Sequence, residues 1–276
     1  MSTPFTLAPT MNTTPGSIYP SIFVGEDVVI KDNKIAKTSR TQKQQENTDN
    51  KCKITITKHD THNSQELKHV INSKIIYFRD KDSFLASYDM TSLRPIIDLC
   101  KNYILENKLL IKNPPIFIFG KKAKQRRSIA FFSDSSIGYR YSRQLMKSQP
   151  IFSYLQILLE FINKVFNCNS NGVLINYYED GNDYIGAHSD DETGLIKDNN
   201  IGIIAISVGC SRKFRIRKKS KETFENGKKY FDVETKPYRL IQMGGTQFQK
   251  QFTHEIPIQK KIKGWRMSFT FRNHIE

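Results

Sequence analysis

With 276 residues, 38% hydrophobic side chains, 18 Phe and 12 Tyr, the chain has apolar material for a real core, as one large domain plus a tail or two small domains. Its 43 Lys+Arg against 27 Asp+Glu give a formal charge of +16, which attracts polyanions or merely keeps the protein in solution. Four scattered cysteines without a CxxC pair argue against a thiolate zinc site or a dense disulfide framework. No apolar run reaches a membrane span and no secretory start is visible, so an intracellular protein of nucleus or cytoplasm is expected.

Residues 1–65 are rich in Thr, Asn, Lys, Ser and Pro and read as a disordered basic and polar tail. Order begins near Leu67, and a domain is expected over residues 66–276. Ile75–Phe78 reads as a strand. From Thr91 to Leu110, Leu93, Ile96, Ile97, Leu99, Ile104 and Leu105 recur at roughly helical spacing, with Pro95 in the first turn where its missing N–H costs nothing. Pro114-Pro115 ends that helix, and Ile116–Phe119 reads as a strand. Ser153–Phe166 is a second helix, with Leu155, Ile157, Leu158, Leu159, Phe161 and Ile162 on its buried side.

Beyond Gly172 short β segments follow one another: Val173–Tyr178, Ile201–Val208, Lys213–Arg217, Tyr230–Val233, Arg239–Met243 and Arg266–Arg272. Many short strands in series predict a sandwich or barrel. The expected layout is a helical part over 66–170 and a β core over 171–276, an α+β class that is mainly β.

Within the β part, His188 and Asp190 are two residues apart, so an extended chain projects both to the same side. Alone, an HxD pair is also what a surface loop offers. His254 is the best third partner among the six histidines, since His59, His62 and His69 lie in or near the tail and His274 is almost terminal. It stands just before an expected β segment. Two imidazoles and one carboxylate form a facial triad suited to non-haem iron(II). In Arg266–Arg272, Arg266, Ser268, Thr270 and Arg272 share one face, while Met267, Phe269 and Phe271 share the other. Arginines on an inward face need an anion, and a metal-bound dicarboxylate would supply it; an edge strand with solvated arginines is the alternative. Leu174, Asn176 and Tyr178 also share a face, offering two polar groups to one ligand or a purely structural pair.

These residues together resemble the AlkB family of iron(II)/2-oxoglutarate dioxygenases. The run Asn176-Tyr177-Tyr178-Glu179-Asp180-Gly181 through His188-Ser189-Asp190-Asp191-Glu192 resembles its NxYxDG…HxDDE signature. Met243-Gly244-Gly245-Thr246-Gln247 with His254-Glu255-Ile256-Pro257 resembles its second histidine segment, and Arg266 to Arg272 its RxxxxxR ending. Arg127–Asp134 and Tyr139–Ser142 are similar to the nucleotide-recognition segment of the eukaryotic nucleic-acid-demethylating members. The chain departs from the pattern at Arg126, Phe132, Ser133, Phe252 and the turn Lys236-Pro237-Tyr238-Arg239, none of them in the metal set.

The resemblance implies a double-stranded β-helix, or jelly roll, with iron(II) held by His188, Asp190 and His254. It implies 2-oxoglutarate paired with Arg266, in a pocket completed by Asn176, Tyr178 and Arg272, and O2 as co-substrate. The implied reaction is oxidative demethylation of N-alkylated bases such as 1-methyladenine and 3-methylcytosine. The base must be flipped out or single-stranded to reach the metal. Tyr139 and Tyr141 are candidates to stack on it or to pack in the core, Asp191 to accept from its amino group or to brace a loop, and Arg127 to contact it. Phosphate contacts are expected from Lys121, Lys122, Lys124 and Arg126, and from the run Arg212–Lys219, in which Lys213, Arg215 and Arg217 share a face. DNA is the favoured partner and a monomer is expected. The alternatives are an RNA demethylase, a protein hydroxylase of the same chemistry, and a non-catalytic nucleic-acid-binding module.

Overall fold

The computed structural model describes residues 67–118, 120–141, 144–190 and 201–274, so the tail expected over 1–65 lies outside the described residues. The first half contributes β1 (Ile75–Asp80), β2 (Ser83–Asp89), helix α1 (Arg94–Glu106), β3 (Pro115–Ile118), β4 (Lys121–Lys124), β5 (Ser128–Phe132), β6 (Gly138–Tyr141), β7 (Gln144–Lys147) and helix α2 (Ser153–Phe166). The second half contributes β8 (Gly172–Tyr178), β9 (Ile185–His188), β10 (Ile203–Gly209), β11 (Lys213–Lys218), β12 (Phe231–Glu234), β13 (Arg239–Gly244), the one-turn helix α3 (Phe248–Gln251), β14 (Phe252–Ile256) and β15 (Arg266–Arg272).

Two antiparallel sheets result. The major sheet runs β1-β2-β13-β10-β15-β8-β5 and the minor sheet β12-β11-β14-β9, while β3-β4 and β6-β7 are separate hairpins. This two-sheet arrangement is the jelly roll that the resemblance implies. The expected helical part, 66–170, does hold α1 and α2, but also seven strands, three of which join the major sheet. Strands β1 and β3 match the expected Ile75–Phe78 and Ile116–Phe119; β4, β6 and β7 were missed because they are short and polar, and β5 because it is buried through most of its length, so none shows clean alternation.

Period-two alternation assigns each major strand two faces. Met267, Phe269 and Phe271 of β15, Val173 and Ile175 of β8, and Ile204, Ile206 and Val208 of β10 bury against the helices. Helix α1 supplies Ile96, Ile97, Cys100 and Ile104 to that layer, and α2 supplies Leu155, Leu158, Leu159 and Ile162, both at the three-and-four spacing of one helical face. Leu105, expected on the apolar side of α1, is 37% exposed instead. Each buried side chain of this size contributes about 1.5–3 kcal/mol. A second apolar layer lies between the sheets, where Ile203, Ile241 and Met243 meet Phe214, Ile216, Phe252 and Ile256. The polar residues of β8, β10 and β15 face the same interior.

One local feature departs from expectation, and a second sets the turn before β13. His254 lies within β14 rather than before a β segment. In the turn before β13, Tyr238 adopts φ 55°, a left-handed conformation that costs a side-chain-bearing residue about 1–2 kcal/mol. Its backbone N–H donates to Ser207 O at 2.7 Å, and its hydroxyl bonds the Asp98 carboxylate at 3.0 Å, so α1 holds the turn from outside.

Candidate active site

Strand register brings the triad together. β14 pairs antiparallel with β9, and His254 sits directly opposite His188. Asp190 follows β9 by two residues, and its carboxylate approaches both imidazoles: Oδ1 is 3.8 Å from His188 Nε2 and Oδ2 is 3.6 Å from His254 Nε2. One donor atom from each residue lies within 4.8 Å of the others, a spacing that one metal ion would satisfy.

The protonation chemistry fits a metal. His188 Nδ1 lies 2.8 Å from Gly186 O, so as the N–H donor it leaves the Nε2 lone pair facing the cluster. Burial pushes the His254 pKa down to about 3, helped by His188, and burial likewise lowers that of His188 against the pull of Asp190. Both rings are therefore neutral near pH 7, as ligands must be. Burial works against the Asp190 carboxylate, but Arg272 Nη2 at 2.8 Å, with the two histidines, holds its pKa well below the usual carboxylate range.

A cavity between the sheets opens beside this cluster, lined on the major-sheet side by Asn176, Tyr178, Ser207, Arg266, Ser268 and Arg272. Arg266 is 4% exposed, and its guanidinium donates to Thr235 Oγ1 at 3.0 Å and Ser207 Oγ at 2.8 Å. Its carbon also lies 5.4 Å from the Tyr178 ring centre. No carboxylate pairs with it among the described residues, and burial lowers its pKa to about 10, so it stays charged. A buried cation with only neutral partners is costly unless an anion joins it, so this corner suits a carboxylate ligand. Arg272 lines the same cavity but commits Nη2 to Asp190.

Other expected residues fall in different places. Arg127 is 2% exposed, on the cavity wall. Tyr139 is equally buried, packed with Phe131 and Leu174, and the Arg272 guanidinium lies 5.1 Å from its ring centre. It is a wall of the site and not an exposed stacking platform, because β6 turns that face onto β5. Asp191 and the side chain of Tyr141 lie outside the described residues. Lys121, Lys122, Lys124 and Arg126 are exposed.

The second basic run behaves differently from expectation. Phe214 and Ile216 point inward as expected, but Arg215 makes two hydrogen bonds to Asp232 on β12, at 2.7 and 2.8 Å, and covers Tyr230 at 4.0 Å. Arg217 bonds Glu255 on β14 at 3.0 Å, and Lys213 lies 3.7 Å from Asp232. Much of this charge is neutralised within the sheet. Arg212 is buried, with guanidinium bonds to the carbonyls of Asp180, Asp183 and Pro257 at 2.8, 2.7 and 2.9 Å. It is a staple between the segments flanking β9 and β14 and has no surface for phosphate.

Sequence reasoning missed Ser207, Thr235 and Gln249. Ser207 was accessible, since it shares the inward face of β10 with Ala205. Thr235 sits in a connection and Gln249 in the one-turn helix α3, too short to give a periodic signal. Gln249 Oε1 accepts the backbone N–H of Asp190 at 2.9 Å.

Among proteins of known name, human DNA oxidative demethylase ALKBH2 is 28% identical over 156 residues, covering 56% of this chain and 59% of the human protein. The Arabidopsis thaliana protein of that name is 28% identical over 179 residues, covering 58% and 56%. Mouse alpha-ketoglutarate-dependent dioxygenase alkB homolog 3 is 28% identical over 182 residues, covering 63% and 58%. The chain thus spans less than two thirds of the length of each. The model of the 2OG-Fe(II) oxygenase superfamily matches residues 115–272, more than half of the chain and all of the cavity just described. The chain belongs to that superfamily, whose chemistry uses iron(II) and 2-oxoglutarate.

Proposed function

We propose that the protein is an oxidative demethylase that removes N-linked methyl groups, as on 1-methyladenine and 3-methylcytosine, from DNA by direct reversal. One observation carries the reading: a His-Asp-His cluster, with Asp190 and His254 buried, shares its cavity with Arg266, a buried cation that meets only neutral partners among the described residues. Two further facts favour a nucleic-acid base as substrate. Relatives in human and Arabidopsis are named DNA oxidative demethylases, and Lys121, Lys122, Lys124 and Arg126 are exposed.

In this reading His188, Asp190 and His254 hold the iron. Arg266 pairs with the far carboxylate of 2-oxoglutarate, and Asn176, Tyr178 and Arg272 complete its pocket. Bound there, iron and 2-oxoglutarate would supply the oxygen activation needed to oxidise an N-methyl group, which would leave the base as formaldehyde. The chain contributes position and dryness. The Gly186 carbonyl sets the His188 tautomer, Arg272 keeps Asp190 ionised, and Ile241, Met243 and Ile256 keep the cavity wall apolar. Arg127, which lines the cavity, would meet an entering base. Lys121, Lys122, Lys124 and Arg126 would hold the phosphate backbone while the base is flipped.

The test is formaldehyde release from a panel of methylated DNA and RNA oligonucleotides, with iron(II) and 2-oxoglutarate, by wild type and His188→Ala. Turnover of methylated DNA by wild type alone is expected. Turnover of RNA alone would reassign the substrate, and no turnover on either with intact iron binding would point to a protein substrate or a binding module. Replacing Lys121, Lys122 and Lys124 together by Ala should lower the slope of log affinity against log salt by about 2–3.

A further inference from the structure

The strand that carries His188 and leads into Asp190 is the least anchored in the minor sheet. β9 is only four residues long, lies at the sheet edge, and has two positions in register with β14, His188 opposite His254 and Ile185 opposite Ile256, with an irregularity between them. Beyond His188 the ladder ends, yet Asp190 must present its carboxylate at a fixed point between two imidazoles. Main-chain pairing does not reach that far, so side chains must fix the backbone there.

Two contacts do so. Ser189 Oγ donates to Phe252 O at 2.9 Å, and the Asp190 N–H donates to Gln249 Oε1 at 2.9 Å. Gln249 is itself fixed. It lies in α3, its Nε2 is 3.8 Å from Met243 Sδ, its carbonyl accepts from Lys219 Nζ at 2.8 Å, and the Lys219 N–H reaches the Gln251 carbonyl at 2.8 Å. Asp190 is thus held from two sides. Arg272, on the major sheet, takes the carboxylate, and Gln249, on the segment leading into His254, takes the main chain. The same short segment therefore supplies the third histidine and the amide that positions the aspartate.

We propose that Gln249 is a positioning residue that presets the Asp190 carboxylate for the metal and thereby sets metal affinity. The inference rests on the reading that His188, Asp190 and His254 hold the iron. Without the Gln249 acceptor, the Asp190 backbone has no partner from this segment, and the carboxylate must find the metal geometry at an entropic cost. Groups that orient a metal ligand are worth about 10–100-fold in metal affinity.

The experiment uses the full chain without oxygen and titrates iron(II) and cobalt(II) into wild type, Gln249→Met, Gln249→Glu and His188→Ala. The cobalt d–d absorption serves as a readout of coordination geometry. Gln249→Met keeps the side chain's length and removes the acceptor; Gln249→Glu keeps the acceptor. The Met variant is expected to bind both metals about 10–100-fold more weakly, with an altered cobalt spectrum and an unchanged melting temperature without metal. The Glu variant should restore the wild-type spectrum and come within about threefold of its affinity, since the acceptor is retained. A Met variant that binds like wild type, a Glu variant as weak as the Met variant, or a loss of affinity matched by a loss of metal-free stability would each overturn the inference. If wild type has no stoichiometric site, or His188→Ala binds as wild type does, the assignment of the triad fails instead.

Discussion

In β11 the cations Lys213, Arg215 and Arg217 point away from the interior, and acids on both neighbouring strands meet them: Asp232 on β12 and Glu255 on β14. In β15 Arg266 and Arg272 point inward; Arg272 meets Asp190, and among the described residues Arg266 meets hydroxyls and an aromatic ring but no acid. Both strands alternate polar and apolar residues at period two, with arginines on the polar face. The difference lies in what faces them. An outward cation paired across a sheet is structural and screened by water, whereas an inward cation without an acid is an incomplete site. Alternation alone therefore locates a basic face, and the cross-strand partner decides whether its charge is free.

The comparison can be broken at several points. On the opposite face of β15, Phe269→Ala should cost about 3–5 kcal/mol in denaturant unfolding, because Phe269 is fully buried against the helical layer. Arg266→Met should cut 2-oxoglutarate affinity about 100-fold by calorimetry with manganese(II) in place of iron, from loss of about 2–4 kcal/mol of charged hydrogen bonding. The same variant should leave the metal-free melting temperature equal or higher, because it removes a buried cation that meets no acid among the described residues. A marked fall in that temperature would show that Arg266 is a structural brace.

Next in size is a pH effect beside Arg272. Burial, then the Arg272 charge, lowers the His274 pKa to about 4, against an unfolded value near 6.5. A depressed histidine favours the fold while neutral, so its contribution is complete above about pH 6.5 and fades as pH falls toward 4. Replacing His274 by Leu should flatten the stability loss between those pH values by roughly 1–3 kcal/mol, read from urea midpoints. The smallest effect is expected in β11. Arg215→Gln should change stability by about 1 kcal/mol or less and barely alter the salt dependence of DNA binding. A strong loss of DNA affinity there would return β11 to the phosphate-binding surface.

The contrast also explains what could be read in advance. Residue spacing alone exposed the two faces of β8 and β15, the His188/Asp190 pair and the limits of α2, which runs Ser153–Phe166 as expected. Strand and helix periods are local geometry, repeated every two or 3.6 residues wherever the chain goes. The choice of His254 came by elimination among the histidines, and the resemblance supplied the cofactors. Strands β5, β6 and β7 stayed hidden because their short segments carry no period of their own.

Other features belong to the tertiary structure alone. The register of β9 on β14 sets His254 opposite His188, and the chain returning through α3 brings Gln249 to Asp190. The sheet's own acids neutralise Arg215, and buried carbonyls claim Arg212. These are pairings between residues 17 to 82 positions apart, from Arg215–Asp232 to Asp190–Arg272. Sequence determined which residues could carry charge inward and which could bind a metal. The fold decided which charges remain unpaired, because a charge is free or satisfied only by what the folded chain sets beside it.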